Sequence, residues 1–244
     1  MSGPERIVVE DAARLADAAA EWVAAAIERA LAERGRCSLA LAGGETPRPV
    51  YERLAREPLA SRIRWRDVTV FFGDERAVAP DDPASNYHMA RAALLDRLPA
   101  APRVHRMEAE RPDGDAAARD YERLLPESLD VLLLGMGPDG HTASLFPGSP
   151  ALEERTRLVL AVTGTKPPPR RLTITPPVIA AARRIAVLAA GGAKAPAVAR
   201  ALHGPPAPQD CPAQLARRGA WFLDPAAAGA LRTGAGTGAG AGAP

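Results

Sequence analysis

Asp130-Val131-Leu132-Leu133-Leu134-Gly135-Met136-Gly137-Pro138-Asp139-Gly140-His141-Thr142-Ala143-Ser144-Leu145-Phe146-Pro147-Gly148 is the stretch on which the fold turns. A continuous apolar run, without alternation, predicts a strand buried on both faces, as in a parallel sheet covered by helices. The run stops at a glycine-rich turn that presents Asp139 and His141, then Thr142 and Ser144, before Pro147 closes the segment. Buried strand, sharp loop and titratable pair in that order place reactive groups at the carboxyl end of an α/β sheet.

Outward from that stretch the chain alternates between strand and helix patterns. Arg6–Glu10, Cys37–Ala42, Val68–Phe72, Leu158–Val162, Leu172–Thr175, Ile185–Ala190 and Trp221–Leu223 read as strands, with a shorter one near Val104. Leu15, Ala19, Trp22, Ala26, Ile27 and Ala30 recur at helical spacing behind a capping Asp11, and Gly35 is a stop. Further helices are expected after Ser85, after Asp115, from Pro176-Pro177, and over Ala197–Leu202. The pattern predicts an α/β fold: three layers, a mostly parallel sheet, and helices on both faces. One catalytic domain is expected over residues 1–228. Residues 229–244, rich in Gly and Ala, have little to bury and are expected to be a disordered tail.

Composition narrows the function. The chain has 244 residues, enough for a substantial core, and a net charge of only +2, which favours neither nucleic acid nor a membrane surface as partner. Cys37 and Cys211 have no zinc or redox spacing. No secretory signal is visible and no apolar stretch nears the ~20 residues of a bilayer span, so a soluble cytoplasmic protein is expected.

Several loops carry charge or glycine where an anion could bind. Cys37–Ala42 runs into Gly43-Gly44-Glu45-Thr46-Pro47, with Thr46 expected as N-cap and Pro47 as the first helical residue. Two glycines before a helix N-terminus let backbone N–H groups approach an anion, although Glu45 weighs against one. Val68–Phe72 ends in Gly73-Asp74-Glu75-Arg76. Thr163-Gly164-Thr165-Lys166-Pro167-Pro168-Pro169-Arg170-Arg171 is stiffened by its prolines and gathers three cations. Gly191-Gly192-Ala193-Lys194 is a second strand–glycine–helix junction. His88 reads as structural, and His105 as structural or exposed.

Gly135-Met136-Gly137-Pro138-Asp139-Gly140 matches the bare dinucleotide pattern, but the required long helix and distant acidic residue are missing. A Walker loop is absent as well. His141 can be a neutral base at working pH, and Asp139 could orient it. Ser144 lacks a nucleophile elbow, and the histidines share no ligand spacing, so neither a covalent intermediate nor a metal is expected. A general base activating water, without a cofactor, fits best.

Leu41–Pro47, Phe72–Arg76 with Val78, Asp82-Pro83-x-Ser85-Asn86, Leu134–Gly148 and Lys166-Pro167-Pro168 stand in the order seen in the 6-phosphogluconolactonase family. The resemblance spans about residues 5–228. The related glucosamine-6-phosphate deaminases share the Asp-Gly-His loop but carry Asp-Glu-Tyr where this chain has Asp74-Glu75-Arg76. The resemblance implies a modified Rossmann-like fold of the deaminase and ribose-5-phosphate isomerase type. It implies hydrolysis of 6-phospho-D-glucono-1,5-lactone, an intermediate of the oxidative pentose phosphate pathway, with a small sugar-phosphate lactone as partner and no cofactor. His141 then stands as general base, Asp139 beside it, and Arg76, Lys166 and Arg170 as cationic contacts. Gly43, Gly44 and Thr46 stand as the phosphate loop, with Lys194 as a further phosphate contact. Glu45 departs from the serine of many members. A monomer or weak homo-oligomer is expected. A deaminase or isomerase, or a sugar-phosphate-sensing regulator, are the competing readings; the regulator would need a DNA-binding element that the sequence does not display.

Overall fold

The computed structural model describes residues 5–234. In chain order the strands are β1 (Arg6–Val8), β2 (Cys37–Leu41), β3 (Val68–Phe72), β4 (Asp74–Arg76), β5 (Arg103–Val104), β6 (Val131–Gly135), β7 (Val159–Thr163), β8 (Arg170–Ile174), β9 (Arg184–Ala189) and β10 (Ala220–Leu223). The helices are α1 (Ala12–Arg34), α2 (Pro47–Leu54), α3 (Leu59–Arg62), α4 (Asn86–Ala93), α5 (Gly114–Glu122), α6 (Pro176–Ala181) and α7 (Ala195–His203).

Seven strands form one all-parallel sheet in the order β1-β10-β9-β6-β2-β3-β5. Connections through α1–α4 step one way across this sheet, and those through α5–α7 step back. Right-handed crossovers then put the two groups of helices on opposite faces. Their contacts agree: α1 packs on α2 and α3 and α2 on α4, whereas α6 and α7 share the short 3-10 turn Pro212–Ala216. The central strands are apolar on both faces, with Leu39, Leu132, Leu133, Val187 and Leu188 fully enclosed.

The direction of winding reverses between neighbours β2 and β6. Loops leaving the carboxyl ends of these two strands diverge to opposite faces and leave a crevice between them. A separate antiparallel sheet, β4-β8-β7, covers the rim of that crevice.

Several local expectations change. Asp74–Arg76, read as a charged loop, is a strand of the second sheet. The apolar run near Leu158 belongs to that antiparallel sheet too. Asp113, not Asp115, caps α5, its carboxylate accepting from Ala116 N at 2.8 Å. Thr46 occupies the N-cap position of α2 in a helical conformation and makes no capping bond. Of the expected tail, Gly229–Gly234 forms a 3-10 turn whose Leu231 packs, partly buried, against the core, while residues 235–244 lie outside the described residues. Among the described residues no helix is long and apolar enough to cross a membrane.

Candidate active site

The crevice at the carboxyl ends of β2 and β6 is lined by the loop Ala42–Pro47, by Gly73, Asp74 and Arg76, by Gly135 and Met136, and by His141, Ala143, Arg171 and Lys194. Two buried tyrosines fix its floor. The Tyr51 hydroxyl accepts from Ala42 N at 2.8 Å and donates to Ala42 O at 2.7 Å. The Tyr121 hydroxyl does the same for Phe72, at 2.7 and 3.2 Å. Each satisfies backbone groups where strand pairing stops at the crevice.

His141 is held from its own loop. Its Nδ1 lies 2.6 Å from Asp139 Oδ1, which also accepts the His141 amide at 3.2 Å. Burial pushes the Asp139 carboxyl up, but the His141 charge and these bonds outweigh it and hold it below the ordinary carboxylate range. The His141 ring packs on Phe146, centroids 4.8 Å apart. Gly137 is required here: a Cβ on it would fall 2.2 Å from the imidazole and 2.5 Å from Asp139 Oδ1. Gly140 turns the chain at φ 93°, and Ala143 beyond it sits at φ 48°, a left-handed conformation uncommon outside glycine and typical of functional loops.

The Asp74-Glu75-Arg76 strand divides its charges by the alternation of strand side chains. Glu75 faces the protein and accepts from the amides of Arg76, Asn86 and Tyr87 and the hydroxyl of Ser85, all within 3.0 Å. Burial raises its pKa while these donors pull against it. It thereby anchors the start of α4. Asp74 and Arg76 face the crevice. Arg76 donates to Ala84 O at 2.5 Å through Nη1. Among the described residues the buried side-chain nitrogen and oxygen atoms without a partner are Arg76 Nε and Asn86 Oδ1, both at this site. Asn86 Nδ2 donates to Asp74 O and Oδ1, so its Oδ1 is left pressed against Gly43, where a Cβ would meet it at 1.9 Å. Gly43 is glycine for that close approach.

The same alternation corrects the cationic loop. Lys166 and Arg170 are exposed and do not line the crevice. Arg171, one residue on, pairs across β4–β8 with Arg76 and faces inward. Its Nε donates to Pro168 O and its Nη2 to Lys166 O, at 3.1 and 3.2 Å. Its guanidinium lies 5.7 Å from the Phe146 ring centre, so Arg171 and His141 flank one aromatic ring. Burial draws the Arg171 pKa down, with Asp74 opposing, but a guanidinium stays charged. The sequence carried a signal for this residue: Leu172 to Thr175 reads as an alternating strand, and extending it back by one puts Arg171, not Arg170, on the face of Thr173.

On the other side of the crevice Lys194 donates to Thr46 Oγ1 at 3.3 Å. Its burial lowers the ammonium pKa while Asp224 and Glu45 raise it. Gly43, Gly44 and Thr46 are therefore brought together with Lys194, beside the first turn of α2. Glu45 is exposed. Among the described residues no group of three or more His, Cys, Asp or Glu is placed to hold a metal ion.

Chemically the crevice offers an oriented imidazole next to two guanidinium groups, and an ammonium–hydroxyl–amide cradle apart from them. The sequence profile of the family described as glucosamine-6-phosphate isomerases/6-phosphogluconolactonase matches residues 10–223. A 6-phosphogluconolactonase of Streptomyces coelicolor is 43% identical, the alignment covering 93% of this chain and 95% of that one. The structure of the 6-phosphogluconolactonase from Trypanosoma cruzi superimposes with a TM-score of 0.83 at 31% identity, over 95% of this chain and 98% of that one. A monomeric glucosamine-6-phosphate deaminase superimposes at 0.80 with 26% identity, over 93% and 99%.

Proposed function

The chain belongs to the glucosamine-6-phosphate isomerase/6-phosphogluconolactonase family, and we propose that within it this protein is a 6-phosphogluconolactonase, a carboxylic ester hydrolase. Its substrate is 6-phospho-D-glucono-1,5-lactone and its product 6-phospho-D-gluconate. The observation that carries the reading is the 2.6 Å contact of His141 Nδ1 with Asp139 in a crevice walled by Arg76 and Arg171. Arg76, where the deaminases carry tyrosine, favours the lactonase over its relatives.

With Nδ1 donating to Asp139, Nε2 is the basic nitrogen. It takes a proton from water as the water oxygen bonds to the lactone carbonyl carbon. The carbonyl electrons move onto oxygen, where Arg76 and Arg171 oppose the new charge. Collapse breaks the ring ester bond, and the imidazolium returns its proton to the leaving ring oxygen. The remote phosphate is held by Lys194, Thr46 and the Gly43–Gly44 amides, which orients the lactone for attack. Lys166 and Arg170, exposed outside the crevice, act on the anion only through long-range attraction. The enzyme works in the cytoplasm, as a monomer or weak homo-oligomer, on a freely diffusing substrate.

The test is hydrolysis at controlled pH of phosphorylated and unphosphorylated gluconolactone. Turnover above the spontaneous rate is expected, with kcat/KM much higher for the phosphorylated lactone. Equal rates with and without enzyme would remove the assignment.

A further inference from the structure

The reaction centre lies over a buried polar cluster. Asp74, 7% exposed, joins the strand β4 to the His141 loop: its Oδ2 accepts the Ser144 hydroxyl at 2.6 Å. Ser144 is fully buried, three residues beyond His141, and its amide donates to Thr173 Oγ1 at 3.1 Å. The left-handed Ala143 lies between His141 and Ser144. Arg171 closes the cluster from β8. Its Nη1 is 3.5 Å from Ser144 Oγ and 3.9 Å from Asp74 Oδ2.

These distances set up a competition. A carboxylate and a guanidinium this buried attract strongly, because little water screens them. A direct bidentate pair would form at under ~3 Å, yet they stand a further ångström apart. What fills the short position on Oδ2 is the Ser144 hydroxyl, while carbonyls of the proline loop hold the far side of Arg171.

We infer that Ser144 is a positioning residue for the hydrolysis: by occupying Asp74 Oδ2 it keeps Arg171 from collapsing onto that carboxylate and so leaves the guanidinium facing the reacting carbonyl beside His141. The inference rests on the lactonase reading. It also assigns Arg171 to the reaction centre and not to the phosphate, because Arg171 shares the Phe146 ring with His141 while Lys194 and Thr46 form the separate cradle.

The test uses Ser144→Ala, Asp74→Asn and the double variant, assayed on phosphorylated and unphosphorylated gluconolactone. Ser144→Ala frees Asp74 Oδ2, and Arg171 takes its place. The expected result is a fall in kcat of about tenfold or more on both lactones, by the same factor, with little change in KM for the phosphorylated one. Adding Asp74→Asn removes the charge that captures Arg171 while keeping an oxygen acceptor for Asn86 Nδ2. The double variant is therefore expected to recover part of the kcat lost by Ser144→Ala alone. Two merely structural defects would compound instead. A folded Ser144→Ala enzyme with kcat within twofold of the parent overturns the inference. So does a loss confined to KM, or a double variant slower than Ser144→Ala. A parent enzyme without lactonase activity overturns the functional reading, whatever the variants do.

Discussion

Two glycine-bearing junctions stand side by side at the centre of the sheet and do opposite things. β2 runs through Gly43-Gly44 straight into α2, so this junction ends in a helix N-terminus and offers backbone N–H groups. β6 runs through Gly135–Gly140 into an irregular loop with no helix behind it, and this junction offers side chains. The glycines differ accordingly. Gly44 adopts φ 98° with nothing within 4 Å of a would-be Cβ, whereas Gly137 has the His141 ring at 2.2 Å. At β2 it is Gly44 that turns in open space, while Gly43 before it makes room for the Asn86 amide. At β6 the chain makes room for the imidazole.

The largest expected effect separates the two junctions outright. His141→Ala removes the proposed base and should lower kcat by roughly 10²–10⁴-fold, the usual range for general acid–base catalysis, with the melting temperature little changed. Near-parental turnover would make the β6 loop a second binding loop and dissolve the contrast. Gly137→Ala comes next. The imidazole must move by an ångström or more, and displacement on that scale costs on the order of 10²-fold in kcat. Gly44→Ala instead strains a left-handed turn and should cost about 1–2 kcal/mol of stability with kcat nearly intact. Equal kinetic losses in the two alanine variants would contradict the division of labour.

The cations sharpen the same comparison on a smaller scale. Lys194→Ala removes the ammonium that touches Thr46 and should raise KM for the phosphorylated lactone about tenfold, leaving the unphosphorylated lactone unaffected. Lys166→Ala should also act on KM, but less, because Lys166 is exposed outside the crevice and contributes long-range attraction that salt screens. KM measured at low and high ionic strength distinguishes them: the Lys166 effect should fade with salt and the Lys194 effect persist.

Most of the fold was legible because continuous apolar runs and well-formed caps report directly on buried parallel strands and helix starts. Asp11, Gly35 and Ser85 cap as their residue types predict. The second sheet was not legible. β4 has three residues, all charged, and its strand character comes from pairing with β8, a contact about a hundred residues away in sequence. At the site, His141 and Asp139 were marked by local motif, and Arg76 only by the family resemblance. Arg171 was passed over for Arg170 because composition draws the eye to a cationic loop, while only the register of a strand decides which arginine faces in. Tyr51 and Tyr121 gave no signal at all: each acts on a backbone carbonyl and amide that sequence does not display.

The pH response of the dyad is the smallest effect and the one that tests how far Asp139 governs His141. The Asp139 carboxyl is held below its ordinary value in the folded protein. A depressed acid contributes stability that is present above its unfolded pKa of roughly 3.9 and is lost as pH falls through the lower folded value. The folded state should therefore lose this contribution only below about pH 4. Asp139→Asn removes it, so the stabilities of parent and variant should differ at neutral pH and converge in acid. Catalysis depends on the same pair. The rate of Asp139→Asn should fall, because an amide no longer dictates the tautomer that leaves Nε2 basic. An unchanged kcat would mean that Asp139 shapes the turn through its bond to the His141 amide and leaves the ring to Phe146.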